Sequence, residues 1–124
     1  MIRLLFINIL LLPLFIYSQN IEGSYYSTDG KCKINLTIGK KNDYIFYLKK
    51  RKIKRGSLNI TKENKITYLD FNEISSMYSN DTIYIQNSGN SNNEYLYFNQ
   101  CNEKFIYLVK KNITACKKKK IGNK

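Results

Sequence analysis

The sequence predicts an all-β fold, a small antiparallel up-and-down barrel of about eight strands. Three observations carry this. No stretch shows a sustained helical period. Short runs rich in Ile, Tyr, Phe and Leu recur between clusters of Gly, Asn, Asp and Lys. The connections between runs are short, which favours sequential antiparallel pairing. Eight such strands remove their exposed edges by closing into a barrel. An open two-sheet sandwich is the competing architecture.

The runs follow in order. "IEGSYYS" (21–27) is the first strand, and Asp29-Gly30 is a hairpin turn signal. "CKINLTI" (32–38) sets Cys32, Ile34, Leu36 and Ile38 on one face and Lys33, Asn35 and Thr37 on the other. "YIFYLKK" (44–50) follows the turn "GKKND". After a basic stretch come "RGSLNI" (55–60) and "ITYLDF" (66–71). "NEISSMYSND" (72–81) has no clear assignment. "TIYIQN" (82–87) is the sixth strand, and "SGNSNN" reads as a loop. "EYLYFNQ" (94–100) and "KFIYLVK" (104–110) are predicted to form a last hairpin around Cys101, Asn102 and Glu103. The tail 111–124 is basic and without periodicity.

The amino terminus has a different character. Arg3 precedes an apolar run over 4–16, broken by Asn8 and Pro13, and Ser18 follows. That order predicts a cleaved secretory signal peptide over residues 1–18. A spanning helix needs about 20 apolar residues, so no transmembrane span is expected after cleavage. The remaining chain is one domain of ordinary size, with the barrel expected over 19–110. A secreted or periplasmic location permits disulfides.

The opening "IEGSYYSTDGKCKINLTI" has a glycine two residues before an aromatic. It resembles the G-x-W start of lipocalin-like barrels, with Tyr25 where that pattern has tryptophan. The closing segments "IYIQNSGNSNNEYLYFNQCNEKFIYLVKK" are similar to small secreted lipocalin-like proteins of Bacteroidetes bacteria. The resemblance implies a barrel and export. It brings no catalytic residue with it.

The chain contains no histidine and no tryptophan. The usual general base, the commonest metal ligand and every His-assisted nucleophile are therefore missing. No nucleotide-binding or esterase motif occurs. The three cysteines do not have zinc-site spacing. The nine acidic residues are scattered, and pairs such as Asp70 with Glu73 or Asp81 with Glu94 carry no distinguishing signal. A non-enzymatic protein without cofactor or metal is expected.

Two groups of residues are candidates for binding. The first is aromatic: Tyr25, Tyr44, Phe46, Tyr68, Tyr84, Tyr97 and Tyr107 lie in or beside strands. They are either core and cross-strand packing or the lining of a cavity for a small apolar or amphipathic ligand. The second is basic. Lys49, Lys50, Arg51, Lys52, Lys54 and Arg55 crowd six cations into seven residues, in a chain of formal net charge +12. The sequence places residues 49–54 at a hairpin tip. They are either a solvated tip or a contact for anionic envelope components and other polyanions, without base reading. An A/T-rich coding bias would also raise the lysine content.

Three functions follow: a small-ligand barrel, a polyanion adaptor at the cell envelope, and an inhibitor or immunity-like module that binds a protein. An interior cavity favours the first. A filled barrel with a continuous lysine face favours the second. A filled barrel with an exposed aromatic patch favours the third.

The turn count of an eight-strand meander puts Cys32 and Cys101 at the same end. Closure beside the first strand sets them within two strand spacings, about 10 Å. A Cys32–Cys101 disulfide is predicted, with Cys116 free or bonded between molecules. Cys101–Cys116 is the competing pair. Four Asn-x-Thr triplets, at Asn35, Asn59, Asn80 and Asn112, are acceptors only in a host that glycosylates them.

Overall fold

The computed structural model describes residues 20–28 and 31–112. The predicted signal peptide, the Asp29-Gly30 turn and Cys116 lie outside the described residues, as does all of the basic tail beyond Asn112. Eleven strands and no helix are present among the described residues. None of them forms a helix long and apolar enough to cross a membrane.

The strands are β1 (Gly23–Ser27), β2 (Ile34–Ile38), β3 (Asp43–Leu48), β4 (Arg51–Ser57), β5 (Asn59–Glu63), β6 (Ile66–Phe71), β7 (Ile74–Ser79), β8 (Thr82–Gln86), β9 (Ser88–Asn90), β10 (Asn93–Leu96) and β11 (Phe105–Lys110). Nine form one antiparallel sheet in the order β4-β3-β2-β1-β11-β8-β7-β6-β5. Its two outermost strands, β4 and β5, are consecutive in the chain and separated only by Leu58. One continuous run thus pairs first with β3 and then with β6. The sheet is a nearly closed barrel with eight positions around it. Leu58 is buried at the bend, and its N–H donates to the Asn42 carbonyl at 2.7 Å.

Alternation builds the interior. Leu36, Phe46, Leu69, Ile83, Ile85 and Leu108 point inward and are almost wholly buried, while their neighbours in the strands face out. Each such side chain contributes about 2 kcal/mol relative to exposure. Tight two-residue turns set the register. Lys49 and Lys50, Asn64 and Lys65, and Asn80 and Asp81 all have positive φ, the habit of type I′ hairpins.

Three sequence expectations are corrected. The unassigned segment 72–81 contains β7, whose inward residues are Ile74, Ser76 and Tyr78. A serine at a core position hid the alternation, and it is satisfied by donating to the Leu69 carbonyl at 2.9 Å. The expected strand 55–60 straddles the bend between β4 and β5. The expected hairpin of 94–100 with 104–110 does not form. β10 pairs with β9 in a small separate sheet, and β11 pairs with β8 and β1.

The cause of the last difference is local. A Cβ on Gly89 would lie 1.8 Å from the Asn93 carbonyl oxygen, so only glycine allows β9 and β10 to approach. Asn87, wholly buried, then holds the following loop. Its Nδ2 donates to the carbonyls of Phe98, Cys101 and Glu103, and its Oδ1 accepts from the Phe98 N–H. These side-chain bonds replace the ladder that a strand would have supplied.

Cys32 and Cys101 are joined as predicted, with Cα atoms 5.3 Å apart and a separation of 69 positions in sequence. The route differs from the sequence argument. The loop tied to Asn87 delivers Cys101, not a seventh hairpin turn. β11 does lie beside β1, so both cysteines reach the same end. The bridge fits an oxidising compartment.

Candidate functional site

Inside the barrel, aromatic rings pack on one another. Phe46 lies 5.1 Å from Phe71, 5.2 Å from Phe98 and 5.7 Å from Tyr44, all centroid to centroid with steeply inclined planes. Phe98 comes from the loop held by Asn87 and fills the disulfide end. Tyr25 is fully buried and donates its hydroxyl to the Ile21 carbonyl. Tyr78 donates to Asp81 at 2.8 Å. Burial, then neighbouring Tyr78 and Asp81, push the Tyr25 phenol far up. Burial and the bond to Asp81 push Tyr78 up to about 12. Burial also raises Tyr44, whose oxygen accepts from Asn72 Nδ2 at 2.8 Å.

The seven aromatic candidates therefore separate. Tyr25, Tyr44 and Phe46 point inward and serve as packing. Tyr68, Tyr84 and Tyr107 alternate with buried neighbours and stand on the outer wall, so they line no interior cavity. Tyr97 is half-buried in the loop against the core.

On the outer wall, register aligns what sequence separates. Tyr68 is opposite Met77, Met77 opposite Tyr84, and Tyr84 opposite Tyr107. One row crosses β6, β7, β8 and β11. The Tyr84 and Tyr107 rings meet edge to face at 5.5 Å. Met77 is 38% exposed and Tyr107 44%. Phe105, Val109 and Tyr26 extend the patch, each exposed, with Val109 opposite Tyr26. Lysines stand over its margin, Lys104 at the Phe105 ring and Lys111 at the Tyr26 ring. A groove of about 580 Å³ opens beside Tyr26, walled by Gly23, Ser24, Lys110 and Lys111.

The basic residues occupy a different quarter. Only Lys49 and Lys50 form the turn. Arg51, Lys52, Lys54 and Arg55 belong to β4, which corrects the expectation of a tip over 49–54. Lys52 is opposite Tyr47 and Arg55 opposite Ile45, on the outer side. Arg51 is opposite Leu48 and Lys54 opposite Phe46, on the side that faces the barrel mouth. A bulge at Ile53 separates these pairs. Lys54 reaches over the Phe98 ring at 6.0 Å.

Cys32, Cys101 and Glu103 cluster closely enough to suggest a metal set, but the two sulfurs are bonded to each other. No protein-family model, curated protein or solved structure matches this chain.

The outer row and the buried Asn87 were both missed by sequence reasoning. Alternation alone could have placed Tyr68, Tyr84 and Tyr107 outside. Their alignment needs the register.

Proposed function

We propose that this chain is an exported, non-enzymatic binding protein that holds a protein partner on its outer wall. The row Tyr68, Met77, Tyr84 and Tyr107 carries the reading. Contiguous exposed apolar surface of this kind marks interaction sites, and Tyr and Met are enriched where proteins meet. The filled interior favours this inhibitor-like or immunity-like role over a small-ligand barrel. Export rests on the amino-terminal pattern and agrees with the disulfide.

The test compares the native protein with Tyr84→Ser/Tyr107→Ser. Both side chains leave the fold largely intact when shortened, because they are at the surface. A partner from the native extracellular fraction should be retained by the parent protein and lost by the double variant. Retention by both, or a small apolar molecule extracted from the purified barrel, sinks the reading.

The six cations of residues 49–55 favour a second reading, contact with polyanions. It predicts affinity for heparin that falls steeply between about 50 and 200 mM salt.

A further inference from the structure

We propose that the open edge of β4 is a docking site for an extended acidic peptide segment of a partner protein, which adds as a strand beside residues 51–55. This rests on the β4 edge and not on the tyrosine wall, so either can fail without the other.

The edge is a consequence of how the barrel closes. β4 ends the sheet order and, among the described residues, pairs only with β3. Across the seam, Asn59 of β5 is opposite Asp70 of β6, and β6 stops at Phe71. The turn of Asn72 and Glu73 reaches Gly56, where an added Cβ would lie 2.7 Å from Asn72 Nδ2. Residues 51–55 run on past that turn with no strand on their free side among the described residues. A groove of about 390 Å³ begins there, bordered by Ile53, Lys54, Arg55, Asn72 and Glu73.

Charge decides what such an edge can accept. An unpaired strand is a template for another chain, and lysines with a bulge are the usual protection. Here both are present, and they make the edge selective. A second copy paired along 51–55 would set four cations against four, and like charges opposite one another repel. An acidic segment meets the reverse. Cations stand on both faces of β4, Lys52 and Arg55 on one and Arg51 and Lys54 on the other. Side chains of an added strand alternate between those faces. Consecutive acidic residues, not alternating ones, would therefore all find partners. Half-buried Ile53 offers one apolar contact between them.

The turn points the same way. Lys49 and Lys50 have φ of 48° and 70°, a conformation that costs an ordinary residue and suits Asn-Gly. Two lysines there trade local fit for charge. A peptide also answers the edge better than a nucleic acid does. It brings both donors and acceptors in strand register, whereas phosphates only accept.

The probe is a fluorescent Glu-Glu-Glu-Val-Glu-Glu-Glu peptide, titrated against the folded protein by anisotropy. Binding is expected, with slower amide exchange across residues 51–55. Lys52→Glu/Arg55→Glu should weaken it about tenfold or more, and Tyr84→Ser/Tyr107→Ser should not. A backbone N-methylated peptide of equal charge should bind about tenfold more weakly. Equal binding by the N-methylated peptide, or tighter binding by single-stranded DNA of matched charge, overturns the proposal in favour of a general polyanion surface. Failure of the parent peptide to bind overturns it directly.

Discussion

Asn87 and Phe98 are joined twice: the Phe98 N–H donates to Asn87 Oδ1 at 2.8 Å, and Asn87 Nδ2 donates to the Phe98 carbonyl at 3.2 Å. The same amide reaches the carbonyls of Cys101 and Glu103, each at 3.0 Å. One buried side chain thus aims the ring that fills the barrel end and the cysteine that closes it.

Replacing Asn87 should be costly. Asn87→Ala strands one buried N–H and three carbonyls, for a loss of about 3 kcal/mol. Asn87→Asp keeps the acceptor but sets a carboxylate against the carbonyls, and should lose at least as much. Urea unfolding checks both. A change below about 1 kcal/mol in Asn87→Ala would show that water satisfies the loop.

The disulfide should matter most as a constraint on the unfolded chain. Cys32→Ala/Cys101→Ala, or reduction, should remove about 4 kcal/mol. Denaturant midpoints with and without reductant measure it. Non-reducing peptide mapping should recover Cys32 linked to Cys101, and alkylation of Cys32 in the native protein would contradict the pairing.

Alkaline pH should destabilise the fold through buried phenols. Tyr78 titrates at about 12 in the folded protein and at about 10 when unfolded. Tyr25 is shifted in the same direction by burial. The folded state therefore holds its protons more tightly. This contribution is fully present below about pH 10 and is lost as pH rises through about 12. Unfolding midpoints should fall in that window, with a delayed fraction of the tyrosinate absorbance. Tyr78→Phe should make the fall shallower. Ionisation of every tyrosine near pH 10, with the fold intact, would contradict this assignment.

The β3–β4 turn should be improvable. Lys49→Asn/Lys50→Gly supplies residues that accept positive φ and should stabilise the protein by about 1–2 kcal/mol. Thermal unfolding reads the gain. Loss of stability would mean that the lysines contribute to folding contacts beyond the turn.

The sequence by itself determined the all-β antiparallel class. Its count of eight agrees with the eight positions around the barrel only because β7, unassigned in the sequence, takes the place of the expected strand 94–100. It paired Cys32 with Cys101 through a hairpin turn that does not form. The class depends on short-range signals: alternation as in Ile34, Leu36 and Ile38, and turn residues. Alternation also sorts inside from outside, which is why Tyr25 and Phe46 belong to the core and Tyr107 does not. Where polar groups replaced that signal, the pattern failed. Ser76 sits at a core position because a backbone carbonyl satisfies it, and the loop of 97–104 depends on one amide from a residue at a distance in the chain. Only the tertiary structure decided the functional surfaces. The tyrosine row is a product of register between β6, β7, β8 and β11. The basic strand acquires a free edge because the barrel closes through a single bent run at Leu58. Neither relationship exists along the chain, since each is a matter of which strands become neighbours and how far one overhangs the next.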